Sequence, residues 1–473
     1  MFRLKRSQVN SSRNALIVFT REPEPGKTKT RLIPYFSAEK CAELHRCMLK
    51  DIRGEMKKAD ADIIVSYTGG NEGPEFLRRT FGRNTILIPQ NGDDIGARMQ
   101  NAISEALKLG YDKAVLIGTD IPELEAETID AAFAMLDVCD VVMGPTEDGG
   151  YYLIGMKVTR PEAFNVRLYG VDTVFNETVT ALRAAGINVG FVDEYSDIDI
   201  PEDIAGFRRR MREDAGIRSS NTGRFLSDNA AVSVIVPVYN ESAGITGLLE
   251  QFLPYRNECE VIIVDGGSTD DTVTRAGELI EEYFNDSGCS VRIIESEKGR
   301  GIQMNAGAFA STGDILFFLH SDSILPKGFP AEIRRTMSKS DWGCFGVKFP
   351  SHNVFMITNR IISNHRAWAR RLPYGDQGIF IDRELFFEIG MFPEIPIMED
   401  YEFSLKMKRY GFRPGKTMRR ITTSARRYIR PGQGLIGETR DILRTELNMW
   451  MLRSMYRRGK SPEEIIKLYK DIR

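Results

Sequence analysis

Two aspartates follow apolar runs at positions where a phosphate-bearing ligand could be bound. Asp120 follows the run 113–118, and Asp322 follows the run 314–320. Such runs predict buried strands, and open α/β sheets bind ligands beyond the carboxyl ends of their strands. A carboxylate placed there can help to hold a divalent cation, which neutralises phosphate oxygens during group transfer. The sequence therefore indicates an enzyme with two separate sites.

A basic loop that contains glycine, residues 21–32, follows the first predicted strand. Gly26 and its neighbours could offer backbone N–H groups and cationic side chains to phosphates. The loop includes a P-loop-like ending, but that motif would need a glycine where Arg21 stands, so we reject it. Taken alone, the segment is equally well explained as a solvated basic loop.

Two acidic segments favour a binding site. Segment 144–152 contains Asp148, and segment 197–203 contains Asp199 and Asp203. Carboxylates that reach one cleft from separate strand ends can hold a divalent cation. Asp203 has a simpler alternative, because it could only cap the helix that follows Pro201.

With these motifs in view, the N-terminal half resembles the nucleotidyltransferase-like "transferase 1" family of GT-A folds, which is associated with radical-SAM and arsenosugar gene clusters. The resemblance covers residues 14–208 and rests on PGxxKTRL, IGxDxP and GPxxDGGYYLIG segments at 25–32, 117–122 and 144–155. It implies either nucleotidyl or glycosyl transfer. By this resemblance Lys29 and Arg31 would grip a nucleoside triphosphate or a sugar phosphate. Asp120 would bind the metal, assisted by Asp148 or Asp199.

The second half places polar groups at two further strand ends, after residues 232–238 and 261–265. At the edge of a parallel sheet such groups can hydrogen-bond a base and a ribose. The candidate nucleotide-binding residues are Pro237, Tyr239, Glu241, Asp265, Gly266, Ser268 and Asp270. Ser268 or Asp270 could instead be the N-cap of the helix that follows.

A glycine-rich basic loop at 297–307 enters the next predicted helix. Lys298, Arg300 and Gly301 make this helix start a suitable place for a diphosphate. A flexible loop without function would fit the segment equally well. Its position just before the run that leads to Asp322 favours the binding site.

These residues resemble family 2 glycosyltransferases, and specifically the "transferase 2" subgroup of the same gene clusters. The motifs PxYNE and VDxGSxD occur in order, and the resemblance runs from about 232 to 430. It implies that Asp322, the remaining acid of the family's DxD motif, binds the metal, with His320 as a further candidate ligand. Gln377 belongs to a segment that completes the family pattern.

The resemblance also implies the catalytic base. Inverting transfer needs a carboxylate that takes the proton of the acceptor hydroxyl. In the family this base is the aspartate of a Glu–Asp pair, which matches Glu399 and Asp400. The alternative is an acidic helix start that only complements the helix dipole. The family's late QxxRW element is missing, and Arg426 and Arg427 could face the diphosphate in its place.

Strands alternate with amphipathic helices in both halves, which predicts an α/β fold with two mainly parallel, Rossmann-like GT-A domains in tandem. The predicted strands are 15–19, 62–67, 85–89, 113–118, 140–144, 232–238, 261–265, 291–295 and 314–320. The predicted organisation is a polar tail at 1–14, domains at 15–208 and 231–434 joined by a polar linker at 209–230, and a helical segment at 435–473.

The C-terminal helical segment has apolar residues beside several arginines. The apolar positions predicted for one helix at 435–458 are Ile442, Leu443, Leu447, Trp450, Met451 and Met455. Such a helix could lie on an anionic membrane and present a lipid acceptor. We favour packing against the catalytic domain, because amphipathic helices usually cover cores.

The overall composition excludes several classes of protein. Lys plus Arg (64) nearly balances Asp plus Glu (66), so no global field recruits nucleic acid. The six cysteines form no CxxC pair and no metal-like spacing with the four histidines. Neither a signal peptide nor a membrane-spanning run is found. We therefore expect a cytoplasmic enzyme with at most peripheral membrane contact.

The sequence favours a bifunctional enzyme that uses Mg²⁺ or Mn²⁺. The C-terminal domain would transfer a sugar, with inversion, from a nucleotide-diphosphate sugar to a small-molecule or lipid acceptor. The N-terminal domain would join a nucleoside triphosphate and a sugar phosphate to make such an activated sugar. The alternatives are a second glycosyltransferase or a non-catalytic nucleotide-binding scaffold in the N-terminal half.

Overall fold

A computed structural model describes residues 13–70, 72–166, 169–170, 172–284, 291–351, 353–424 and 435–472. The chain divides into two compact units, residues 1–225 and 226–473. Arg426 and Arg427 lie outside the described residues. Within the described ranges, Cys41, Cys47, Cys139 and Cys344 are reduced thiols.

Unit 1 contains seven strands and eight helices in the described part of the chain. The strands are β1 (Asn14–Arg21), β2 (Asp62–Thr68), β3 (Ile86–Pro89), β4 (Lys113–Ile117), β5 (Val141–Pro145), β6 (Tyr151–Met156) and β7 (Val189–Phe191). The helices are α1 (Ala38–Met56), α2 (Gly73–Phe81), α3 (Ile95–Lys108), α4 (Ala126–Met135), α5 (Val174–Ala184), α6 (Pro201–Glu213), α7 (Ala215–Ser219) and α8 (Asn221–Asp228), which crosses the boundary between the units.

The strands of unit 1 form one sheet in the order β3-β2-β1-β4-β6-β5-β7. The pairs β2–β3, β1–β2, β1–β4 and β5–β7 are parallel, and β6 is antiparallel to both of its neighbours. Two apolar clusters cover opposite faces of the sheet, because alternate residues of each strand point to opposite sides. Leu16 and Val18 belong to one cluster, and Ala15 and Ile17 to the other.

Unit 2 repeats this arrangement. Its strands are β8 (Val232–Val238), β9 (Cys259–Asp265), β10 (Val291–Glu295), β11 (Ile315–Phe318), β12 (Trp342–Lys348), β13 (Ile379–Asp382) and β14 (Gly415–Thr422). Its helices are α9 (Ile245–Glu250), α10 (Thr272–Phe284), α11 (Arg300–Ala310), α12 (Phe329–Met337), α13 (Val354–Ala369), α14 (Arg383–Glu388), α15 (Glu399–Arg409), α16 (Leu435–Arg457) and α17 (Pro462–Ile472).

The second sheet has the order β10-β9-β8-β11-β13-β12-β14, which is the order of the first sheet with each number raised by seven. The parallel pairs and the one antiparallel strand, β13, also correspond. Two mainly parallel α/β domains in tandem, as the sequence predicted, are therefore confirmed. In each unit the strands β1 and β4, or β8 and β11, are neighbours and end at the same edge.

The segment predicted as a linker, 209–230, is largely helical, and the boundary between the two units lies within it. Helix α6 begins well before it, at Pro201, and buries Ile204, Phe207 and Met211. The spacing of these three residues, i, i+3 and i+7, is that of a helix with one buried face. The many charged residues between them gave the segment the composition of a linker.

The C-terminal segment 435–472 is helical, but the apolar residues predicted for one face of α16 lie on different sides. Of the predicted residues, Ile442 is buried, whereas Leu443, Leu447 and Trp450 are exposed; Leu452, which was not predicted, is also buried. No helix in the described ranges has both the length and the apolar character needed to cross a membrane.

Candidate active sites

Lys29 lies at the centre of the candidate site in unit 1. Its ammonium is bonded to Asp120, and it lies 2.8 Å from Asp199 Oδ1 and 2.6 Å from the carbonyl oxygen of Ile198. The Lys29 side chain is only 4% exposed, although the two carboxylates are 43% and 38% exposed. The loop after β1 therefore aims its lysine at the acidic residues that follow β4 and β7. Lys29 is not free to grip a phosphate in this arrangement.

The charges of this cluster influence one another. Desolvation favours neutral Lys29, but Asp120 and Asp199 outweigh it and raise the pKa of Lys29. Desolvation likewise opposes ionisation of Asp120, but the adjacent Lys29 lowers the pKa of Asp120. Burial, together with the nearby carboxylates of Asp148, Asp199 and Asp120, raises the pKa of Asp197 to about 7. A carboxylate with such a pKa marks a place where negative charge accumulates.

The other predicted residues of unit 1 lie around this cluster. Arg31 is largely exposed, and its guanidinium is 3.8 Å from Asp199 Oδ2. Gly26 turns the loop with a φ of +74°. Asp148 holds its own hairpin, because its Oδ1 accepts hydrogen bonds from Thr146 Oγ1 at 2.5 Å and Gly150 N at 3.0 Å.

Asp203 has the capping role that the sequence offered as an alternative. Its Oδ2 accepts hydrogen bonds from the backbone N–H groups of Asp199 and Ile200, at 2.7 and 2.8 Å. These two bonds satisfy backbone donors at the start of α6 and fix it. Asp199 also bonds to Lys29, so Asp203 fixes the backbone of a residue that contacts Lys29.

Sequence reasoning missed a buried polar group beneath the unit 1 cluster. Thr20 Oγ1 lies 3.2 Å from His45 Nε2 and 3.3 Å from Thr119 Oγ1, next to Asp120. Burial lowers the pKa of His45 to about 4, so the imidazole is neutral at pH 7. A histidine on the apolar face of a predicted helix was the only available signal.

In unit 2 the turn after β9 is held together by Asp265, which is 2% exposed. Its Oδ2 accepts hydrogen bonds from Gly267 N and Ser268 N at 2.9 and 2.8 Å, and its Oδ1 accepts one from Ser268 Oγ at 2.5 Å. Gly266, in the same turn, packs against Gln303. Asp265 and Ser268 thus shape the turn.

The turn after β8 is bonded to the turn after β9. Asn240 N donates to Ser268 Oγ at 2.8 Å, and Asn240 Oδ1 accepts from Thr269 N at 2.8 Å. Asp270 accepts from Ser242 N and from Thr272 at the start of α10; Thr272 is the larger cause of its low pKa, about 2. Asp270 therefore has the cap-like role that the sequence proposed.

A cationic and aromatic pair lies beside these turns. Lys298 Nζ is 3.5 Å from the centre of the Tyr239 ring, within the range of a cation–π interaction. Tyr239 is 37% exposed, so one part of its ring remains open to a ligand. Glu241 donates its backbone N–H to Thr272 Oγ1 at 2.8 Å, and Pro237 is the last but one residue of β8.

Asp400 lies in the first turn of α15 and lines a pocket with Arg300, His320, Gly375 and Glu399. Its Oδ2 accepts a hydrogen bond from Gly375 N, and its Oδ1 accepts one from Tyr401 N, both at 2.7 Å. A side chain at position 375 would come within 2.6 Å of His320 Nε2. Glycine at 375 therefore allows His320 and Asp400 to approach the same turn.

Glu399 is buried and bonded to Arg300, with 3.0 Å between Oε1 and Nη1. Burial raises the pKa of Glu399, and Arg300 opposes this only in part. Desolvation alone would lower the pKa of Arg300, but Glu399 and Asp400 raise it. Glu399 therefore holds the Arg300 guanidinium beside Asp400. Gly301 packs closely on Pro393, since a Cβ at 301 would lie 2.5 Å from the Pro393 carbonyl oxygen.

The remaining predicted residues of unit 2 are placed differently. Asp322 is exposed in the turn that follows β11. Gln377 is fully buried, and its Oε1 accepts from Tyr374 N at 3.2 Å, so it supports the turn under Asp400 and does not line the pocket. Sequence reasoning missed Gln303, whose Nε2 donates to the carbonyls of Val238 and Val264 at 2.8 Å and ties α11 to both turns.

Each site offers one or two carboxylates that could bind Mg²⁺ or Mn²⁺. Among the residues that the structure describes, no three His, Cys, Asp or Glu side chains form a metal-binding group. Asp120 and Asp199 nevertheless converge on one cation, the Lys29 ammonium. In unit 2 Asp322 offers an exposed carboxylate. Mg²⁺ commonly uses one or two carboxylates together with substrate phosphates, so both donor sets fit a cation that arrives with a nucleotide.

The fold defines two GT-A-like α/β domains in tandem. Residues 53–170 match the family described as "Uncharacterized protein conserved in bacteria (DUF2064)", and residues 233–393 match "Glycosyl transferase family 2". The chain therefore carries a DUF2064 domain in unit 1 and a family 2 glycosyltransferase domain in unit 2. Both resemblances seen in the sequence are confirmed at this level.

Individual relatives agree with the two domains. The chain is 29% identical over 206 residues to the 3-phospho-D-glycerate guanylyltransferase of Phenylobacterium zucineum, covering 42% of this chain and 90% of that protein. It is 32% identical over 147 residues to the undecaprenyl-phosphate 4-deoxy-4-formamido-L-arabinose transferase of Pseudomonas paraeruginosa, covering 30% and 40%. The match to this lipid-phosphate transferase thus spans less than half of its length.

A solved structure is also similar. A crystal structure from Desulfovibrio desulfuricans, described as a nucleotide-diphospho-sugar transferase, shares 32% identity with this chain and has a TM-score of 0.43. The match covers 46% of this chain and 95% of that one.

Proposed function

We propose that unit 2 transfers a sugar from a nucleotide-diphosphate sugar to an acceptor hydroxyl or phosphate, with inversion at the anomeric carbon. The observation that carries this proposal is the placement of Asp400. Its carboxylate is oriented by Gly375 N and Tyr401 N and faces a pocket that also contains Arg300 and His320. A fixed carboxylate beside a cation is what a single displacement requires of the protein.

The bonds change as follows. When the acceptor is a hydroxyl, Asp400 accepts its proton while the hydroxyl oxygen forms a bond to the anomeric carbon; an ionised phosphate acceptor attacks directly and gives up no proton. The bond from this carbon to the diphosphate breaks, and its electron pair remains on the diphosphate. Arg300, held by Glu399, stabilises the growing negative charge. Glu399 is thus a positioning residue for Arg300, and Asp400 is the base.

The turns after β8 and β9 would hold the nucleotide, with Tyr239 offering a ring for stacking and Lys298 a cation for phosphate. Asp322 would hold Mg²⁺ or Mn²⁺ against the diphosphate, and a metal ion there supplies positive charge for the leaving group. We expect Asp322→Ala to weaken metal-dependent binding of the nucleotide sugar about tenfold to a hundredfold, measured by calorimetry with Mg²⁺ or EDTA. Glu282→Ala, an exposed change on α10, is the control, and equal affinities for both variants would remove Asp322 from the site.

For unit 1 we propose nucleotidyl transfer. A phosphate oxygen of a phosphorylated small molecule, such as a sugar phosphate, would attack the α-phosphorus of a nucleoside triphosphate and release pyrophosphate. Two observations support this: the similarity to a guanylyltransferase over 90% of its length, and the acidic cluster around Lys29. Asp120 and Asp199 would hold the cation, and Lys29 and Arg31 would then be available for phosphate.

The alternatives for unit 1 are a second glycosyltransferase and a nucleotide-binding scaffold. The same strand order in both units favours the former, because unit 2 uses that order for a family 2 domain. The acceptor of unit 2 is a lipid phosphate or a small molecule; two relatives are named undecaprenyl-phosphate 4-deoxy-4-formamido-L-arabinose transferase and dodecaprenyl-phosphate galacturonate synthase.

The deciding experiment is a turnover and thermal-shift panel with the full chain and Mg²⁺ or Mn²⁺. Nucleoside triphosphates with sugar phosphates, and nucleotide-diphosphate sugars with acceptors, are the two sets of ligands. Pyrophosphate release from the first set supports nucleotidyl transfer by unit 1. Turnover of nucleotide sugars alone would make unit 1 a glycosyltransferase or a scaffold, and turnover of neither set would contradict both proposals.

A further inference from the structure

Helices α13 and α16 expose an unusual amount of apolar surface. On α13, Ile361 and Ile362 are 60% and 59% exposed, and on α16, Leu447 and Trp450 are 65% and 57% exposed. Large exposed apolar side chains that are scattered singly need no explanation, but a group on two adjoining helices does. The other exposed apolar residues of the two helices are Val354, Phe355, Ile357, Ile436, Leu443 and Met451.

The two helices are paired in parallel. Asn353 Nδ2 donates to Thr439 Oγ1 at 3.2 Å, and Asn359 Nδ2 is bonded to Glu446, one to two turns further along both helices. Met356 and Ile442 anchor the pair in the apolar core of unit 2. The helices therefore use one side to pack on the domain, which leaves their outer sides as one two-helix surface.

The spacing on α16 shows that its exposed apolar residues form a stripe. Leu443, Leu447 and Trp450 are separated by four and three residues, so they lie on one face of the helix. Arg440 and Arg444 are exposed one turn apart beside this stripe. Helix α13 has no acidic residue, and of the three acids on α16, Glu446 is mostly buried against α13 and Asp441 is 16% exposed. The outer surface is apolar and cationic.

We propose that this α13–α16 surface docks the protein on an anionic lipid bilayer. Apolar side chains with flanking arginines suit the boundary between headgroups and acyl chains of a bilayer. There the apolar side chains are buried among the lipids, and the arginines contact lipid phosphates. A second copy of the chain is a poorer occupant, because a symmetric contact would bring the same arginines together. Docking does not rest on the proposed transfer reaction.

The position of the surface relative to the pocket gives docking a purpose if the acceptor is a lipid. Arg366 of α13 and Arg453 of α16 lie 3.4 and 5.5 Å from the centre of the Tyr374 ring. Tyr374 directly precedes Gly375, the residue that bonds Asp400. The helices that face the bilayer therefore contact Tyr374, the neighbour of the residue that bonds the proposed base. This consequence rests on the proposed function of unit 2.

Vesicle flotation of the full chain tests the proposal. Vesicles of phosphatidylcholine with phosphatidylglycerol are compared with vesicles of phosphatidylcholine alone, and Trp450 fluorescence is recorded in parallel. We expect binding to the anionic vesicles that weakens with salt, and a blue shift of emission that Trp450→Phe removes. Leu447→Ser with Trp450→Ser should lower the partition coefficient at least about tenfold, and Arg440→Gln with Arg444→Gln about 20- to 30-fold.

Matched controls lie elsewhere on unit 2. Met418→Ser removes an apolar side chain that is 81% exposed on β14, and Lys339→Gln with Lys408→Gln removes two exposed cations. These variants should bind vesicles like the parent. All altered residues are exposed, and equal melting temperatures verify that the variants fold; Ile361→Ser with Ile362→Ser is the substitute if the α16 variant does not.

Three results would overturn the proposal. The first is that the parent chain does not float with anionic vesicles. The second is that the α16 variants bind the vesicles as tightly as the controls. A third is a parent chain that is a dimer by light scattering, does not bind vesicles, and becomes a monomer with Leu447→Ser and Trp450→Ser. That result would assign the surface to a second copy.

Discussion

Unit 1 and unit 2 share one strand order, and each has an aspartate after its fourth strand, Asp120 after β4 and Asp322 after β11. The surroundings of these two carboxylates differ. Asp120 is bonded to Lys29, which comes from the loop after β1, whereas Asp322 is exposed. The loop after β8 instead supplies Asn240, which bonds to the turn after β9, and Tyr239, which contacts Lys298. The sheet therefore sets the position of each carboxylate, whereas the loops determine which residues the carboxylate contacts.

The two units also differ in where the additional charge comes from. Unit 1 gathers its carboxylates around one cleft. Burial, together with the charge of Asp148, raises the pKa of Asp197 there to about 7. Unit 2 instead places Asp400 on a helix start, beside the ion pair of Arg300 and Glu399. The first arrangement suits cation and triphosphate binding, and the second suits proton removal beside a leaving diphosphate.

The largest expected effect tests the base of unit 2. Asp400→Asn should lower transfer about 10²- to 10⁴-fold, because the amide cannot take the acceptor proton, while the thermal shift with nucleotide sugar persists. Asp382→Asn is the control, since Asp382 caps α14 through Leu385 N at 3.0 Å and asparagine caps equally well. Retained transfer by Asp400→Asn would exclude Asp400 as the base.

The corresponding test in unit 1 is Asp120→Ala. We expect turnover by unit 1 to fall about 10²-fold or more, because the cation loses a carboxylate ligand, whereas transfer by unit 2 remains unchanged. Glu127→Ala, an exposed acidic residue of α4, is the control and should have no effect. Loss of both activities together would show that Asp120 is structural and that the units do not act separately.

A further difference concerns acid sensitivity, because unit 1 buries His45 beneath its candidate site. Burial lowers the pKa of His45 to about 4, so the unfolded chain binds a proton more readily as the pH falls from about 6.5. Stability should therefore decrease by about 2 to 3 kcal/mol between pH 7 and pH 4.5, and His45→Gln should remove this loss.

The measurement is the free energy of unfolding from denaturant titration at the two pH values. Unfolding is monitored with a probe in unit 1. His365→Gln changes an exposed histidine of unit 2 and should leave the pH dependence as it is in the parent. An unaltered loss of stability in His45→Gln would assign the acid sensitivity to other groups.

The smallest expected effect concerns Lys29. Lys29→Met leaves Asp120 and Asp199 facing each other without the ammonium, and should destabilise unit 1 by about 1 to 2 kcal/mol, since both carboxylates are partly exposed. Mg²⁺ should restore the melting temperature of the variant more than it raises that of the parent. Lys27→Met in the same loop removes an exposed pair with Glu24 and should change little. A variant that Mg²⁺ does not stabilise would argue against a cation between the two carboxylates.

Much of the fold could be predicted because buried parallel strands are nearly continuous apolar runs. The bounds of β8 and β10 agree with the sequence prediction, and β1, β2 and β9 differ by two residues or fewer at each end. The antiparallel strands β6 and β13 were not predicted, since their direction depends on which neighbours they pair with. The helix α6 was partly taken for a linker because charged residues conceal its three buried positions.

The sequence by itself determined the α/β class, the two domains and the carboxylates Asp120, Asp322 and Asp400, because short apolar runs and motif spacing are local properties of the chain. Only the tertiary structure decided which groups these carboxylates meet. The bond from Lys29 to Asp199 joins residues 170 positions apart, and that from Gly375 to Asp400 joins a turn to the start of α15. Such contacts depend on strand order and loop direction, which no local pattern contains.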